Sequence, residues 1–283
     1  MSTAWQSYLN LLPHWLRDTV DKQGRERLTE LRLRVGHPVQ MRFLSDFYYL
    51  DQVIESDDIQ YIINVATNYS PWTSSTVSKG FITGEGGHRI GICGNVITDS
   101  QGNIKTIDTL SSLNIRVARD VIGIADPIAR HNESILIIGR PGCGKTTLLR
   151  DYIRQRSEHS FDSVCVVDER REIFPLIRGR SCFLSGRQTD ILSGCSKTQG
   201  INMLLRCMNP GTIAVDEITE SEDCAAMIYA GWCGVKLLAT AHAESKDDLY
   251  SRPIYKPIIQ SKIFQHLIIM SPDKTWRIER MVQ

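Results

Sequence analysis

The sequence lacks any apolar stretch long enough to cross a lipid bilayer, and its mean hydropathy is −0.19. A membrane-spanning helix needs about 20 consecutive apolar residues. The first residues also lack the basic segment and the apolar core of a secretory signal peptide. These absences predict a protein that is made in, and stays in, the cytosol.

An excess of charge of either sign is also absent. Lysine and arginine number 33, aspartate and glutamate number 32, and the net charge is +1. Binding to nucleic acids or to anionic membranes usually shows as a basic excess or a basic patch. The overall balance therefore gives no reason to expect a direct nucleic-acid partner, although a local patch remains compatible with it.

The eight cysteines form no C-x-x-C pair and no cluster with histidine. Four of them lie within or beside apolar runs, namely Cys165, Cys182, Cys207 and Cys224. In a reducing compartment such cysteines are expected to be small buried apolar residues. The pattern predicts neither a metal site nor a disulfide framework.

The first part of the sequence mixes helical and strand patterns. Apolar residues recur at helical spacing from Trp5 to Leu16, interrupted by Pro13, and again over residues 57–69. Residues 28–35, 39–44, 80–99 and 113–117 alternate as half-buried strands do. We expect an α+β domain over residues 1–120. Its first helices either pack on this domain or dock to a membrane or partner, and their few basic residues favour packing.

From Val121 onwards, apolar runs alternate with helical patterns, which is typical of a parallel sheet covered by helices. We therefore expect an α/β domain over residues 121–283. One run, residues 135–138, leads into G-x-x-x-x-G-K-T, with Gly139, Gly144, Lys145 and Thr146 at the spacing of a phosphate-binding P-loop. The fold class predicted is a P-loop NTPase domain preceded by a smaller α+β domain.

A loop of this kind binds the phosphates of a nucleotide through backbone N–H groups and a helix N-terminus. Lys145 is expected to reach the β- and γ-phosphates, and the Thr146 hydroxyl to bind Mg²⁺. The predicted nucleotide-binding residues are Gly139, Arg140, Pro141, Gly142, Cys143, Gly144, Lys145, Thr146 and Thr147. The predicted ligands are ATP and Mg²⁺.

Three further apolar runs end in polar residues: Asp168-Glu169, Asp216-Glu217 and Thr240-Ala-His242. The carboxyl ends of parallel strands meet at one edge of the sheet, where ligands bind. Asp216 is placed as a Walker B aspartate that holds Mg²⁺ with Thr146, and Glu217 as the general base for water. Glu169 is a candidate to assist the metal or the water, and His242 to contact the γ-phosphate. For Glu169 a surface ion pair is an equally good interpretation.

Phosphoryl transfer also uses a cation on the transferred phosphate. The candidate arginines are Arg170, Arg171, Arg178, Arg180, Arg187 and Arg206. A P-loop at a sheet edge leaves one side of the nucleotide open, so an arginine from a neighbouring subunit is an alternative source. This argument favours a ring oligomer.

Seven segments together resemble the stage III sporulation protein AA family over nearly the whole chain. They are PGCGKTTLLRD (141–151), VVDERREI (166–173), TDILSGCSK (189–197), IAVDEI (213–218), GVKLLATAH (234–242), GGHRIG (86–91) and SSLNIR (111–116). That family is similar to the type II and type IV secretion ATPases, which are hexameric. On this comparison Asp168-Glu169 resembles their acidic box, Asp216-Glu217 their Walker B motif, and His242 their histidine box.

The resemblance implies a cytoplasmic ATPase of the mother cell that powers a channel to the forespore. Its implied partners are further copies of the chain and membrane-bound channel proteins, reached from the cytoplasmic face. The sequence departs from the pattern at Asp216, where secretion ATPases usually have glycine, and at Gln188, where the sporulation family commonly has arginine. Because Arg187 lies one place earlier, the resemblance does not imply a finger role for it.

Other functions fit the P-loop less well. A GTPase lacks support because no Asn-Lys-x-Asp occurs, and the adjacent Asp-Glu favours an ATPase over a kinase. A nucleic-acid-remodelling ATPase has little support from the near-neutral charge. A nucleotide-gated scaffold with negligible turnover stays open from sequence alone.

Overall fold

The computed structural model describes residues 3–25, 27–69, 80–159, 163–177 and 179–281. The chain divides into two compact units, Met1–Asp120 and Val121–Gln283. The division falls at the residue where the sequence pattern changes from mixed to alternating β/α. Among the described residues, no helix combines the length and apolar character that a membrane crossing requires.

The described residues of the first unit form a six-stranded antiparallel sheet in the order β3-β2-β1-β6-β5-β4, together with three helices. The helices are α1 (Thr3–Leu11), α2 (His14–Gly24) and α3 (Ser56–Ala66), and the strands are β1 (Glu30–Arg34), β2 (Pro38–Arg42), β3 (Phe47–Val53), β4 (Phe81–Thr83), β5 (Arg89–Thr98) and β6 (Ile104–Arg116). This unit has the α+β composition expected from the sequence.

The apolar faces of the first helices are buried within their own unit. Tyr8, Leu12 and Leu16 are fully buried and belong to one cluster with Leu31 and Leu33 of β1. Pro13 separates α1 from α2, because proline cannot donate the hydrogen bond that a continuous helix needs there. Of the two alternatives for these helices, packing on their own domain is confirmed.

Strand β3 was not predicted, and β6 begins earlier than expected. In β3 only Leu50 is buried, while Phe47, Tyr49 and Val53 are exposed. The strand therefore shows no clean alternation, and its pairing with β2 determines its conformation. The early half of β6 is mostly exposed and is held by its antiparallel pairing with β5.

His88, in the GGHRIG segment, is a buried structural histidine. Its Nδ1 accepts a hydrogen bond from the Ala118 backbone N–H at 2.9 Å, and its Nε2 lies 2.7 Å from the Ala4 carbonyl oxygen. The ring is therefore the neutral tautomer with a proton on Nε2. Burial lowers the pKa of His88 from its usual 6.5 to about 4, and this outweighs the opposing hydrogen bond to Ala4.

We expect the first unit to lose stability as the pH falls through 6.5 towards 4. Over this range the unfolded chain binds a proton that folded His88 does not, so the contribution is complete above pH 6.5 and is lost below it. The loss is about 3 kcal/mol from the pKa difference. Urea unfolding of wild type and His88→Gln across this pH range measures it. The variant should be less stable at neutral pH but show a flatter pH slope, and equal slopes would contradict the assignment.

The second unit contains a seven-stranded sheet in the order β11-β8-β12-β13-β7-β14-β15. All neighbours are parallel except β14 and β15. The strands are β7 (Ile135–Ile138), β8 (Val164–Asp168), β11 (Thr189–Ser193), β12 (Thr212–Val215), β13 (Lys236–Ala241), β14 (His266–Met270) and β15 (Trp276–Arg280), with a separate pair β9 (Leu176–Ile177) and β10 (Arg180–Ser181). The helices are α4 (Lys145–His159), α5 (Lys197–Cys207), α6 (Ser221–Trp232), α7 (Lys246–Ser251) and α8 (Lys256–Ser261).

The central strands of this sheet are covered by helices. Every residue of β7, β8, β12 and β14 is buried. Leu136 and Ile138 of β7 share a core cluster with Ile201 of α5 and Met227 of α6. Helix α4 also contacts β7 but contributes no residue to that cluster, which places it on the other face. The predicted fold class, a mainly parallel α/β sheet after a smaller α+β unit, is confirmed.

The cysteine prediction was correct in part. All eight cysteines lie in the described part of the chain and are free. Cys165 and Cys224 are buried as expected, but Cys182 is only half-buried and Cys207 is exposed. Cys207 is the last residue of α5. Its place at the end of the helix leaves the side chain exposed, although apolar residues lie near it in the sequence.

Candidate functional site

The P-loop connects the carboxyl end of β7 to the first residue of α4, Lys145. Gly142 and Gly144 have φ angles of +79° and +100°, which side chains other than glycine rarely adopt. At Gly139, an added Cβ would lie 2.6 Å from the Cys143 Sγ and 3.0 Å from the Met270 carbonyl oxygen. The loop therefore needs glycine for backbone conformation at two positions and for space at the third.

The remaining loop residues differ in exposure. Arg140, Pro141 and Gly142 are exposed, whereas Cys143 is buried. The Arg140 guanidinium forms an ion pair with Glu244 at 2.5 Å. Thr147 is half-buried in the first turn of α4. The loop thus presents its backbone together with the exposed Arg140 side chain, which Glu244 holds.

Lys145 is 7% exposed and lies against the loop. Its Nζ donates to the carbonyl oxygens of Gly139 at 2.9 Å and Arg140 at 3.0 Å, and lies 3.0 Å from the His242 Nδ1. Burial lowers the pKa of Lys145, and this outweighs the opposite effect of nearby anionic groups that include Glu217 and Asp216. The ammonium group is a desolvated cation at the position where the motif expects phosphate contact.

Two hydroxyl groups meet on the carboxylate of Asp216. Thr146 Oγ1 donates to Asp216 Oδ2 at 3.1 Å, and Thr240 Oγ1 donates to Asp216 Oδ1 at 2.7 Å. The strand order explains the meeting, because β13 lies between β12 and β7. Sequence reasoning placed Thr146 and Asp216 together, but it gave no role to Thr240, which belongs to β13 itself.

Glu217 is held between a histidine and an arginine. Its Oε1 lies 2.9 Å from the His242 Nε2, and its Oε2 lies 3.1 Å from the Arg170 guanidinium. Since Lys145 can only donate to the His242 Nδ1, the imidazole proton is on Nε2 and is donated to Glu217. A continuous chain of polar contacts therefore runs from Lys145 through His242 and Glu217 to Arg170.

Glu169 lies at the end of β8, one strand further from the P-loop than Asp216. Its Oε2 accepts from the Lys197 Nζ at 2.6 Å, and that lysine also contacts Asp223 at 3.4 Å. A small cavity is lined by Glu169, Arg170, Lys197, Asp216 and Glu217 among others. Glu169 therefore borders the same space as Glu217, but its carboxylate is engaged by a buried lysine.

Asp168, the other acid of this strand end, turns away from the site. Its carboxylate accepts the backbone N–H groups of Glu172 and Phe174, both at 2.8 Å, and the side chain is 1% exposed. Burial raises the pKa of Asp168 against the effect of these hydrogen bonds. Its carboxylate stabilises the loop after β8, so Glu169 is the acid of this strand end that borders the cavity shared with Glu217.

The candidate arginines are distributed unevenly. Arg170 reaches Glu217 within the same chain and is 53% exposed in its side chain. Arg187 pairs with Glu158 at 3.3 Å, and Arg180 and Arg206 are exposed on other elements. Arg178 lies outside the described residues. Arg170 is thus the candidate that the described structure brings beside the predicted base.

Solved structures share this fold. The ATPase DotB of Yersinia pseudotuberculosis matches with a TM-score of 0.62 at 15% identity, covering 95% of this chain and 79% of that chain. The pilus retraction motor PilT with bound ADP matches with a TM-score of 0.61 at 13% identity, covering 89% of this chain and 76% of that chain. At such identities the likeness concerns the fold of secretion and pilus ATPases.

Sequence comparison is more specific. The stage III sporulation protein AA of Bacillus subtilis (strain 168) is 36% identical over 277 residues, which cover 93% of this chain and 90% of that protein. The family model described as "Sporulation stage III, protein AA" matches residues 5–279. The resemblance inferred from the seven segments is confirmed, and the chain belongs to the family of the sporulation stage III protein AA.

Proposed function

We propose that this chain is an ATP-hydrolysing motor subunit, with residues 121–283 as its ATPase domain and residues 1–120 as an N-terminal domain. One observation carries the proposal. A glycine-built P-loop, a hydroxyl–carboxylate pair and a histidine-bound glutamate lie at one edge of one parallel sheet. The fold of secretion and pilus ATPases supports it.

The loop and its neighbours fit Mg²⁺ and ATP. The glycine-bounded loop and the start of α4 form an anion site of the kind that binds phosphates. Thr146 and Asp216 offer only oxygen donors, which Mg²⁺ prefers. An Mg²⁺ ion held by these two residues would supply positive charge against the charge of the bound phosphates. Lys145 binds the same phosphates as a point charge, and Thr240 orients the Asp216 carboxylate.

Glu217 is proposed as the general base that accepts a proton from the attacking water. The neutral His242 donates to one carboxylate oxygen and fixes its orientation, and Arg170 holds the other. Because His242 also contacts Lys145, it links the phosphate-binding group to the base. Phosphate contact at Lys145 is thereby coupled to the position of Glu217. Glu169 is proposed as a second acid at the water side, with its charge balanced by Lys197.

Family membership and fold together support a role in sporulation. The proposed motor works in the cytoplasm of the mother cell, at the cytoplasmic face of a membrane, and powers a channel to the forespore. Its proposed partners are membrane-bound channel proteins and five further copies of itself in a hexamer. Nucleic acid is not among them, in line with the net charge of +1.

We expect the rate of ATP hydrolysis per subunit to rise steeply with protein concentration. In a ring, a neighbouring subunit closes the open side of each nucleotide and can supply a further arginine. Phosphate release measured across a dilution series, with sedimentation of the same samples in Mg²⁺ and ATP, tests this. A flat rate per subunit, with only monomers at micromolar concentration, would contradict the ring.

A second candidate is a nucleotide-gated scaffold that binds ATP without turnover. The contacts that occupy both oxygens of Glu217 favour it, because neither carboxylate oxygen is free to receive a proton from water while His242 and Arg170 hold them. Binding without phosphate release would distinguish the scaffold from the motor.

A further inference from the structure

A second polar cluster lies at the amino-terminal ends of strands β7 and β14, opposite to the strand ends that carry the P-loop. His131 and Glu133 precede β7, and His266 is the first residue of β14, which pairs with β7. The P-loop follows the other end of β7, four residues away, which corresponds to about 13 Å. The cluster is therefore separate from the nucleotide site and independent of the proposed function.

The three side chains converge on a small volume. The Glu133 Oε2 lies 3.9 Å from the His131 Nδ1 and 3.7 Å from the His266 Nε2. One donor atom from each residue lies within 4.8 Å of the others, and the imidazole rings meet edge to face at 4.6 Å between centroids. His266 is 7% exposed.

The backbone that carries these side chains is fixed on both sides. The Ser134 carbonyl oxygen accepts the N–H groups of Gln265 at 3.1 Å and His266 at 3.2 Å, and the Gln265 side chain accepts the Ser134 N–H at 3.0 Å. The segment before Ser134 is also anchored. Arg156 of α4 donates to the carbonyl oxygens of His131 and Glu133, both at 3.3 Å. The segment that carries His131 and Glu133 and the segment that carries His266 are thus held together before any ligand binds.

We propose that His131, Glu133 and His266 bind one divalent transition-metal ion of the zinc class. Two imidazoles and one carboxylate are the donor set of open, three-ligand zinc and iron(II) sites. Bond lengths of about 2.0–2.1 Å place neighbouring donors of a tetrahedral ion about 3.4 Å apart. The two separations that involve Glu133, 3.7 and 3.9 Å, need only a few tenths of an ångström of closure. All three donor atoms lie within 4.8 Å of one another, so side-chain rotation of the histidines completes the closure on binding.

Three protein donors would leave one position of a tetrahedral ion for a ligand from solvent. Glu133 and His266 line a cavity of about 610 Å³, whose wall also carries Lys262 and Arg280. These cations favour a water or a small anion as the fourth ligand. The ion would connect the segment before the P-loop strand to β14. The sequence did not indicate this site, because 132 residues lie between Glu133 and His266.

The alternative without a metal ion is a cluster of ion pairs. Glu133 is 49% exposed in its side chain and faces both histidines, so a protonated imidazole could pair with it without any metal. That alternative predicts weak, non-stoichiometric metal binding that the three side chains do not control. The two alternatives therefore differ in stoichiometry and in the effect of substitutions.

The test uses the full chain, treated with chelator and kept free of nucleotide. Co²⁺ is titrated and followed by its visible absorption, and Zn²⁺ affinity is measured by competition with a chromophoric chelator. Millimolar Mg²⁺ blocks oxygen-only sites. We expect one equivalent of Co²⁺ in a spectrum of four- or five-coordinate nitrogen and oxygen ligation. Glu133→Gln and His266→Gln should each weaken Zn²⁺ binding about 100-fold or more. This loss exceeds the 10–100-fold loss of affinity that follows substitution of a residue that only supports a metal ligand.

His159→Gln is the matched control, since His159 is exposed at the end of α4 in the same domain. It should bind Zn²⁺ as wild type does. Metal-free thermal melting checks that the variants fold. If His266→Gln does not fold, Glu133→Gln alone decides, because its side chain is half exposed. Equal Zn²⁺ affinity in Glu133→Gln and wild type, an absorption band of thiolate–Co²⁺ charge transfer, or no stoichiometric Co²⁺ binding would overturn the proposal.

Discussion

Glu217→Gln is expected to lower kcat for ATP hydrolysis by about 10²–10⁴-fold, the usual contribution of a general base. The amide keeps the shape of the carboxylate but can accept only one of the two hydrogen bonds, from Arg170 or from His242, and it cannot accept a proton from water. Because Glu217 lies beside the P-loop rather than in it, the Kd for ATP should stay within a few-fold of wild type. Phosphate release and equilibrium ATP binding measure the two quantities separately.

Glu222→Gln is the control for this change, since Glu222 is exposed in the first turn of α6. It carries the same chemical change in the same domain and should hydrolyse ATP as wild type does. If Glu217→Gln hydrolysed ATP as fast as wild type while binding it normally, the assignment of the base would be wrong.

Lys145→Ala is expected to weaken ATP binding about 10- to 150-fold. The estimate follows from the loss of a charge-assisted contact of about 1.5–3 kcal/mol. The Lys145 ammonium is already desolvated and held by two loop carbonyl oxygens, so little reorganisation is needed for it to meet a phosphate. Titration of a fluorescent ATP analogue, with Mg²⁺ present, measures the change in Kd.

Lys256→Ala is the corresponding control, because Lys256 is an exposed lysine at the start of α8. It removes the same charge from the same domain without touching the loop. If Lys145→Ala and Lys256→Ala bound ATP with the same Kd, the assignment of the P-loop as the phosphate-binding site would be wrong. Circular dichroism of both variants shows whether the fold is kept.

The P-loop was predictable because its physics is local. A buried strand, a glycine loop and a helix follow each other within residues 135–159, and each has its own sequence pattern. The meeting of Thr146 with Asp216 followed from one general rule about the edges of parallel sheets. These features do not depend on knowing which strands are neighbours.

The strand order was not predictable, and the missed residues depend on it. Thr240 contacts Asp216 because β13 lies beside β12, and a threonine inside an apolar strand carries no signal by itself. The structural role of Asp168 was not predictable for a related reason. The loop after β8 turns its own N–H groups onto the carboxylate, and the sequence shows only an acid at a strand end.

The histidine–glutamate cluster shows the same limit. His131 and His266 meet because β14 pairs with β7, and the register places His266 opposite Ile135. Each histidine, taken alone in the sequence, is an ordinary polar residue beside an apolar strand. Long-range pairing that brings such residues together has no signature in the spacing of a single sequence.

Phosphate release from Mg²⁺ and ATP by the purified wild-type chain is the measurement that decides whether the site is hydrolytic. We predict release well above the rate without protein, loss of release when EDTA removes Mg²⁺, and loss in Glu217→Gln. ATP binding with phosphate release no faster than in the protein-free control would contradict a hydrolytic site and support the nucleotide-gated scaffold instead.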